Sequence, residues 1–186
     1  MKNLLVLIGL SVAVSGTVSA QKYFTKNGTI GFDATSSSSP EKIEGINRSA
    51  TCVIDTKSGA IQFAVLMKGF AFERALMEEH FNENYAESSK YPKSEFRGKL
   101  KDVEDIDFTK DGSYTLKVKG DLTLHGQTKE VETTGTLVVK GGKISAAASF
   151  DVKLSDFEIS IPGLVADKVA KIAKINVSVS LEPLKN

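Results

Sequence analysis

Between Ser113 and Leu154 apolar and polar residues alternate almost without a break. Tyr114, Leu116, Val118, Gly120, Leu122 and Leu124 share one parity; Thr115, Lys117, Lys119, Asp121, Thr123 and His125 share the other. Val131 to Val139 and Ile144 to Leu154 continue the rhythm. Successive side chains of a strand point to opposite faces, so period two means one apolar face and one wet face. Three such runs joined by short Gly-containing breaks predict an antiparallel meander. Further strands are predicted over Ile46 to Asp55, Ala60 to Lys68, Lys93 to Leu100 and Lys174 to Glu182. Near the start, Lys22 to Lys26 and Gly28 to Ser37 read as two strands around a hairpin turn at Asn27-Gly28, a pair suited to positive φ.

Two stretches break the alternation. Phe70 to Phe81 is rich in Phe, Leu, Met and Glu at near-helical spacing, which predicts a short helix from about Glu73 to Phe81. Leu164 to Ala173, after the Pro162-Gly163 break, reads as a helical turn or two. The sum is about eight strands with two short helical insertions. The fold class is therefore all-β, an antiparallel eight-stranded barrel, because closure removes the edges that long strands would expose.

The first residues stand apart from that fold. Lys2 precedes an uncharged apolar run, Leu4 to Val14, and Val18-Ser19-Ala20 offers small residues for cleavage. Residues 1–20 thus read as a secretory signal peptide and 21–186 as the barrel domain. The run is shorter than the roughly 20 residues a membrane span needs. The residue directly after Ala20 is Gln21 and not a Cys, which argues against a lipid anchor. The expected location is the periplasm or the outside of the cell, with no transmembrane segment in the mature chain.

Charge adds little. Lys+Arg 24 against Asp+Glu 23 leaves a formal net charge of +1, which recruits neither nucleic acid nor an anionic surface wholesale. Cys52 is the only cysteine, so no intramolecular disulfide forms; it shares parity with Ala50 and Ile54 and reads as a small buried apolar residue. Asn27, Asn47 and Asn176 each begin an Asn-x-Ser/Thr triplet, which matters only in a glycosylating host.

The question is what the inward face encloses. It mixes Phe32, Phe63, Val65, Met67, Phe96, Leu116, Val118 and Phe150 with Gly98, Gly120, Gly135, Ala146 and Ala148. Small residues leave room, and facing Phe rings could equally fill it; eight-stranded barrels do both. Leu76 and Phe81 of the predicted helix join the candidate lining. Candidate chemistry is sparse. His80 and His125 have no second His, Cys or acid at ligand spacing, so no metal site is expected; of the two, His80 is the better candidate for a polar contact. The acidic run Asp102 to Asp107 lacks an EF-hand pattern, and no phosphate-binding glycine loop or Gly-x-Ser-x-Gly occurs. An enzyme is not expected, nor a cofactor.

Three segments carry a family resemblance. Arg74-Ala75-Leu76-Met77-Glu78-Glu79-His80-Phe81 leads to Tyr91-Pro92-Lys93-Ser94-Glu95-Phe96, similar to an Arg…His-Leu element followed by a Tyr-Pro-x-x-x-Phe strand start. Leu122-Thr123-Leu124-His125-Gly126-Gln127-Thr128-Lys129-Glu130-Val131 resembles a Leu-x-Gly-x-Thr-Lys-x-Val hairpin. Phe150 to Phe157 is close in place to an Arg-x-Asp-Phe-Gly element, with Glu158 where that element has Gly. Together they resemble the YceI family of exported lipid-binding proteins. That resemblance implies a lipocalin-like barrel around an elongated hydrophobic tunnel, and a long-chain isoprenoid or fatty amphiphile as partner, held without chemistry. Arg74, His80 and Lys129 are the candidates for a headgroup contact at the mouth. The competing expectation is a filled barrel acting as an envelope-stress or protein-interaction module, with an apolar patch around Phe70 and Phe72. An oligomer is compatible with either.

Overall fold

The computed structural model describes residues 22–184. The expected signal peptide lies outside the described residues. Eight long strands form the barrel: β1 (Lys22–Thr35), β2 (Glu44–Asp55), β3 (Ala60–Leu66), β5 (Lys93–Lys101), β6 (Gly112–Leu124), β7 (Gln127–Lys140), β8 (Lys143–Lys153) and β9 (Val169–Pro183). A two-residue strand, β4 (Ala71–Phe72), and a helix, α1 (Ala75–His80), lie in the insertion between β3 and β5. The antiparallel order is β1-β9-β8-β7-β6-β5-β3-β2, and pairing of β1 with β2 closes the ring. The eight-stranded antiparallel barrel read from the period-two pattern is the observed fold.

Turn chemistry fixes the register. His125 and Gly126 (φ 50° and 75°) join β6 to β7, and Gly141 and Gly142 (φ 57° and 74°) join β7 to β8. Two successive positive φ values match the twist of a tight hairpin. Asn27-Gly28 behaves otherwise. It makes no hairpin; β1 runs through it as one strand whose register slips on either side of Gly28. Because β1 must pair with both β2 and β9, a bulge there bends the strand across the seam. The expected helical turns over Leu164 to Ala173 shrink to a single tight turn at Gly163–Val165, and β9 already begins at Val169. The β-branched residues and ladder partners of that segment outweigh its weak helical spacing.

The two ends of the barrel differ. At one end lie the β2–β3, β5–β6 and β7–β8 turns. Here the interior is solid: Tyr23, Cys52, Ile54, Leu100, Leu137, Val139, Ile144 and Leu181 are at most 4% exposed. The acidic run caps this end from outside. Asp107 accepts bonds from the Thr109 hydroxyl and backbone and pairs with Lys110, which holds its carboxyl down at about 2 against an ordinary 3.8. A depressed carboxylate contributes above its unfolded pKa and loses that contribution as pH falls through the folded one. An NMR titration is expected to place the Asp107 midpoint near 2, with the β5–β6 connection loosening only between pH 3.8 and 2; an ordinary midpoint would contradict the contacts.

Candidate functional site

The opposite end is where the sequence spends its insertions. The β1–β2 loop, the long β3–β5 insertion, the β6–β7 hairpin and the β8–β9 loop all meet there. Below them the barrel is hollow, with a cavity of about 400 Å³. Its walls come from every long strand except β2. Phe32, Phe63, Val65, Phe96, Phe150 and Ala148 stand around it, with Ile30, Leu122, Val131, Ile175 and Val177. Leu116, Val118, Ala146, Ile61 and Val179 form the floor, directly on the solid core. The bore is thus a cup with one mouth, and the tunnel implied by the resemblance is stopped halfway by branched aliphatic side chains.

Of the small inward residues, Ala146 and Ala148 line the cavity, whereas Gly98, Gly120 and Gly135 stand outside its lining where neighbouring strands approach closely. Gly135 faces Ala148 across β7 and β8, and Gly98 faces Gly120 across β5 and β6. The polar groups of the wall are already committed. Thr133 donates to the Ser149 carbonyl at 2.9 Å and Ser94 to the Thr123 carbonyl at 2.8 Å. The wall therefore offers contacts of dispersion and area, and few directional ones.

An aromatic group roofs the cup. Phe81 packs against Phe32, Phe70 and Phe72 with ring centroids 5.7, 5.5 and 4.9 Å away. Met67 and Phe81 line the cavity from this roof. Phe81 opens a π-helical turn, Phe81–Tyr85, that continues α1. The surface patch expected around Phe70 and Phe72 is absent here. Phe70 is buried and Phe72 half-buried in this cluster, because β4 pairs with β2 and turns them inward. Leu76, a predicted lining residue, is instead 62% exposed and outside the cavity. The six-residue helix is too short for the assumed face to persist, and its inward role falls to Met77 and Phe81.

The rim carries the polar groups: Ser39, Glu41, His80, Tyr85 and Lys168 border the cavity. Burial pushes the Tyr85 phenol further up from its ordinary range. Of the predicted headgroup residues, His80 lines the rim, with Asn84 at 3.3 Å. Arg74 points to Glu41, 2.5 Å away, and reaches the rim only through it. Lys129 sits opposite Leu122 at the strand end, exposed and outside the lining.

The residue that sequence reasoning passed over is His125. It is 9% exposed. Its Nδ1 is hydrogen-bonded to the Phe157 carbonyl at 2.9 Å, and its Nε2 to the Glu87 carboxylate at 2.6 Å. Tyr91 packs its ring 4.5 Å from the imidazole. One side chain thus ties the β6–β7 hairpin to the β3–β5 insertion and to the β8–β9 loop. Glu87, His125 and Glu158 all have positive φ, so three loops accept backbone strain around this clamp. Its sequence signal was the Leu124-His125-Gly126 turn, where positive φ swings the side chain off the strand's polar parity. His125→Ala is expected to cost about 1–3 kcal/mol by leaving the Phe157 carbonyl and Glu87 without their partner. Hydrogen exchange should rise across residues 81–92 before the strands; unchanged protection there would contradict the clamp.

Among the described residues no group of three His, Cys, Asp or Glu is placed to hold a metal. Cys52 sits in the solid end, where burial pushes its thiol up and away from nucleophilic use. Among the described residues no helix is long and apolar enough to cross a membrane.

A closed antiparallel barrel with a one-mouthed apolar cup is the architecture of one class of β-barrel proteins. Within it the chain belongs to the YceI-like domain family, whose profile matches residues 9–181. The barrel is similar to that of a polyisoprenoid binding domain from Saccharophagus degradans implicated in plant cell wall breakdown (TM-score 0.76, 11% identity, 89% of this chain and 99% of that one). It also resembles BcnA of Burkholderia cenocepacia (TM-score 0.65, 16% identity, covering 83% and 95%). A third likeness is to the YceI protein of Campylobacter jejuni (TM-score 0.53, 16% identity, covering 100% of both chains). No protein of curated function matches the sequence.

Proposed function

We propose that this chain is an exported carrier that holds a long-chain isoprenoid, or another amphiphilic lipid, tail-down in the cup and performs no chemistry on it. The observation that carries the reading is the cup itself: mostly apolar on walls and floor, with the wall hydroxyls of Ser94 and Thr133 bonded to backbone carbonyls and further polar groups at its rim. Family membership and the likeness to a polyisoprenoid binding domain support the ligand class. The energetics suit it. Each buried methylene contributes about 0.8 kcal/mol, so roughly ten buried carbons supply about 8 kcal/mol, against an association cost of at least about 4 kcal/mol. Tight holding needs a tail longer than that, or help from the rim, where His80, Tyr85 and Lys168 offer hydrogen bonds to a headgroup. Export to the periplasm or medium follows from the signal-peptide reading of residues 1–20.

Native mass spectrometry tests the proposal. Delipidated protein offered prenols and fatty acids of graded length is expected to take up one chain per barrel, with affinity rising with length until the cup is full. Equal indifference to every chain would overturn it.

A further inference from the structure

Resting on the carrier reading above, we infer that the floor of the cup gauges chain length, admitting a single apolar tail of about 13–15 carbons, with Leu116 and Ala146 as the residues that set the limit. Two measures agree. At roughly 30 Å³ per heavy atom, the share a water molecule takes in its liquid, a cavity of about 400 Å³ seats about 13 carbons. β6 lines that cavity from Leu124 at the lip to Leu116 at the floor. At about 3.3 Å per residue and a strand tilt of about 40°, that stretch spans a depth of about 20 Å. A hydrocarbon zigzag with bonds of about 1.5 Å rises about 1.3 Å per carbon, so about 15 carbons reach from lip to floor. Volume and depth together leave a mean cross-section of about 20 Å², the width of one chain and not of two.

The floor cannot give way. Leu116, Ala146 and Val179 belong to one packed cluster with Ile54, Leu137, Ile144 and Leu181, the last four fully excluded from solvent. A close-packed interior takes no further methylene without strain, so the end of the tail stops at Leu116. Leu116 pairs across the ladder with Gly135, which has no side chain to refill space vacated at position 116. Ala146 pairs with Leu137 on one side and Val179 on the other, so a longer side chain there has only the cup to enter. A prenyl tail of about three isoprene units fits whole. A longer tail leaves its outer units beyond the rim in water, where they add nothing to affinity. A two-tailed phospholipid is too wide.

Calorimetric titration of delipidated protein with fatty acids graded from octanoic to docosanoic, and with geraniol, farnesol and geranylgeraniol, tests this. Affinity is expected to rise about fourfold per added methylene, then to level off near tetradecanoic to hexadecanoic acid. Farnesol should bind more tightly than geraniol, and geranylgeraniol no more tightly than farnesol. The arm that binds more tightly at equal carbon number identifies the source of the tail. Dipalmitoyl phosphatidylcholine should displace neither. Ala146→Leu should move the break about three carbons shorter, and Leu116→Ala about three carbons longer. Ala146→Leu removes no core atom, so it carries the test if Leu116→Ala yields no folded protein. Affinity that keeps climbing through docosanoic acid, a break unmoved in folded Ala146→Leu, or displacement by the phospholipid overturns the length gauge while the carrier reading stands. Protein that takes up no chain of any length overturns the carrier reading and the gauge with it.

Discussion

Ala148→Trp is expected to abolish uptake of prenyl chains while leaving the barrel folded. Ala148 lies mid-strand on β8 between Gly135 of β7 and Val177 of β9, with its methyl group on the cavity wall. An indole there projects into the cup from the side and meets Phe63 or Phe96 only across open space. Trp buries roughly 150–250 Å² on average, so filling the void offsets its ordering cost. Binding should fall by more than tenfold and the melting temperature should hold or rise. In a packed interior the same change would force side chains off their rotamers, at about 1–3 kcal/mol. For a domain of this size that lowers the melting temperature by about 2–4 °C per kcal/mol. Isothermal binding and a thermal melt on one preparation therefore separate hollow from filled.

Gly120→Val is expected to give a protein that does not fold at 37 °C. Gly120 pairs directly with Gly98, both on the inward parity, where β5 and β6 coil most closely. A Cβ at 120 would overlap the Gly98 Cα and the Arg97 carbonyl, which are backbone atoms and cannot swing away. The clash should cost several kcal/mol, a large share of the about 5–15 kcal/mol that a domain has in hand. Gly163→Ala is the control. A Cβ there meets nothing within 4 Å and no positive φ is involved, so soluble yield and urea midpoint should match wild type. Normal folding of Gly120→Val would show that the strands separate at this corner.

These two sites also show how far the sequence reaches. The period-two parity of β3, β5, β6, β7 and β8 is legible because a strand's two faces see different solvents. It placed Phe63, Phe96, Leu116, Val118, Ala148 and Phe150 on the inner face, where the structure has them. Parity cannot say whether inward residues meet. The solid half and the hollow half share one alternation, and only the ladder shows that Leu137, Val139 and Ile144 sit below the level of Ala148. Parity carries no information about the segments between strands. Helical spacing puts Leu76 inward, but a helix of six residues does not sustain that face. Asn27-Gly28 carries a hairpin signature, yet the need of β1 for two partners turned it into a bulge. His125 looked polar and outward; a positive φ at the turn sent it into the clamp. Asn47, a glycosylation triplet by sequence, is fully buried and bonded to the Leu66 carbonyl and Ser49.

The most direct measurement is quantitative mass spectrometry of the solvent extract from protein purified, without refolding, from its native host. A cup that holds a lipid tail in the cell should release one apolar amphiphile per barrel. An extract bare of stoichiometric amphiphile, from protein that also refuses added prenyl and fatty chains, would contradict a carrier.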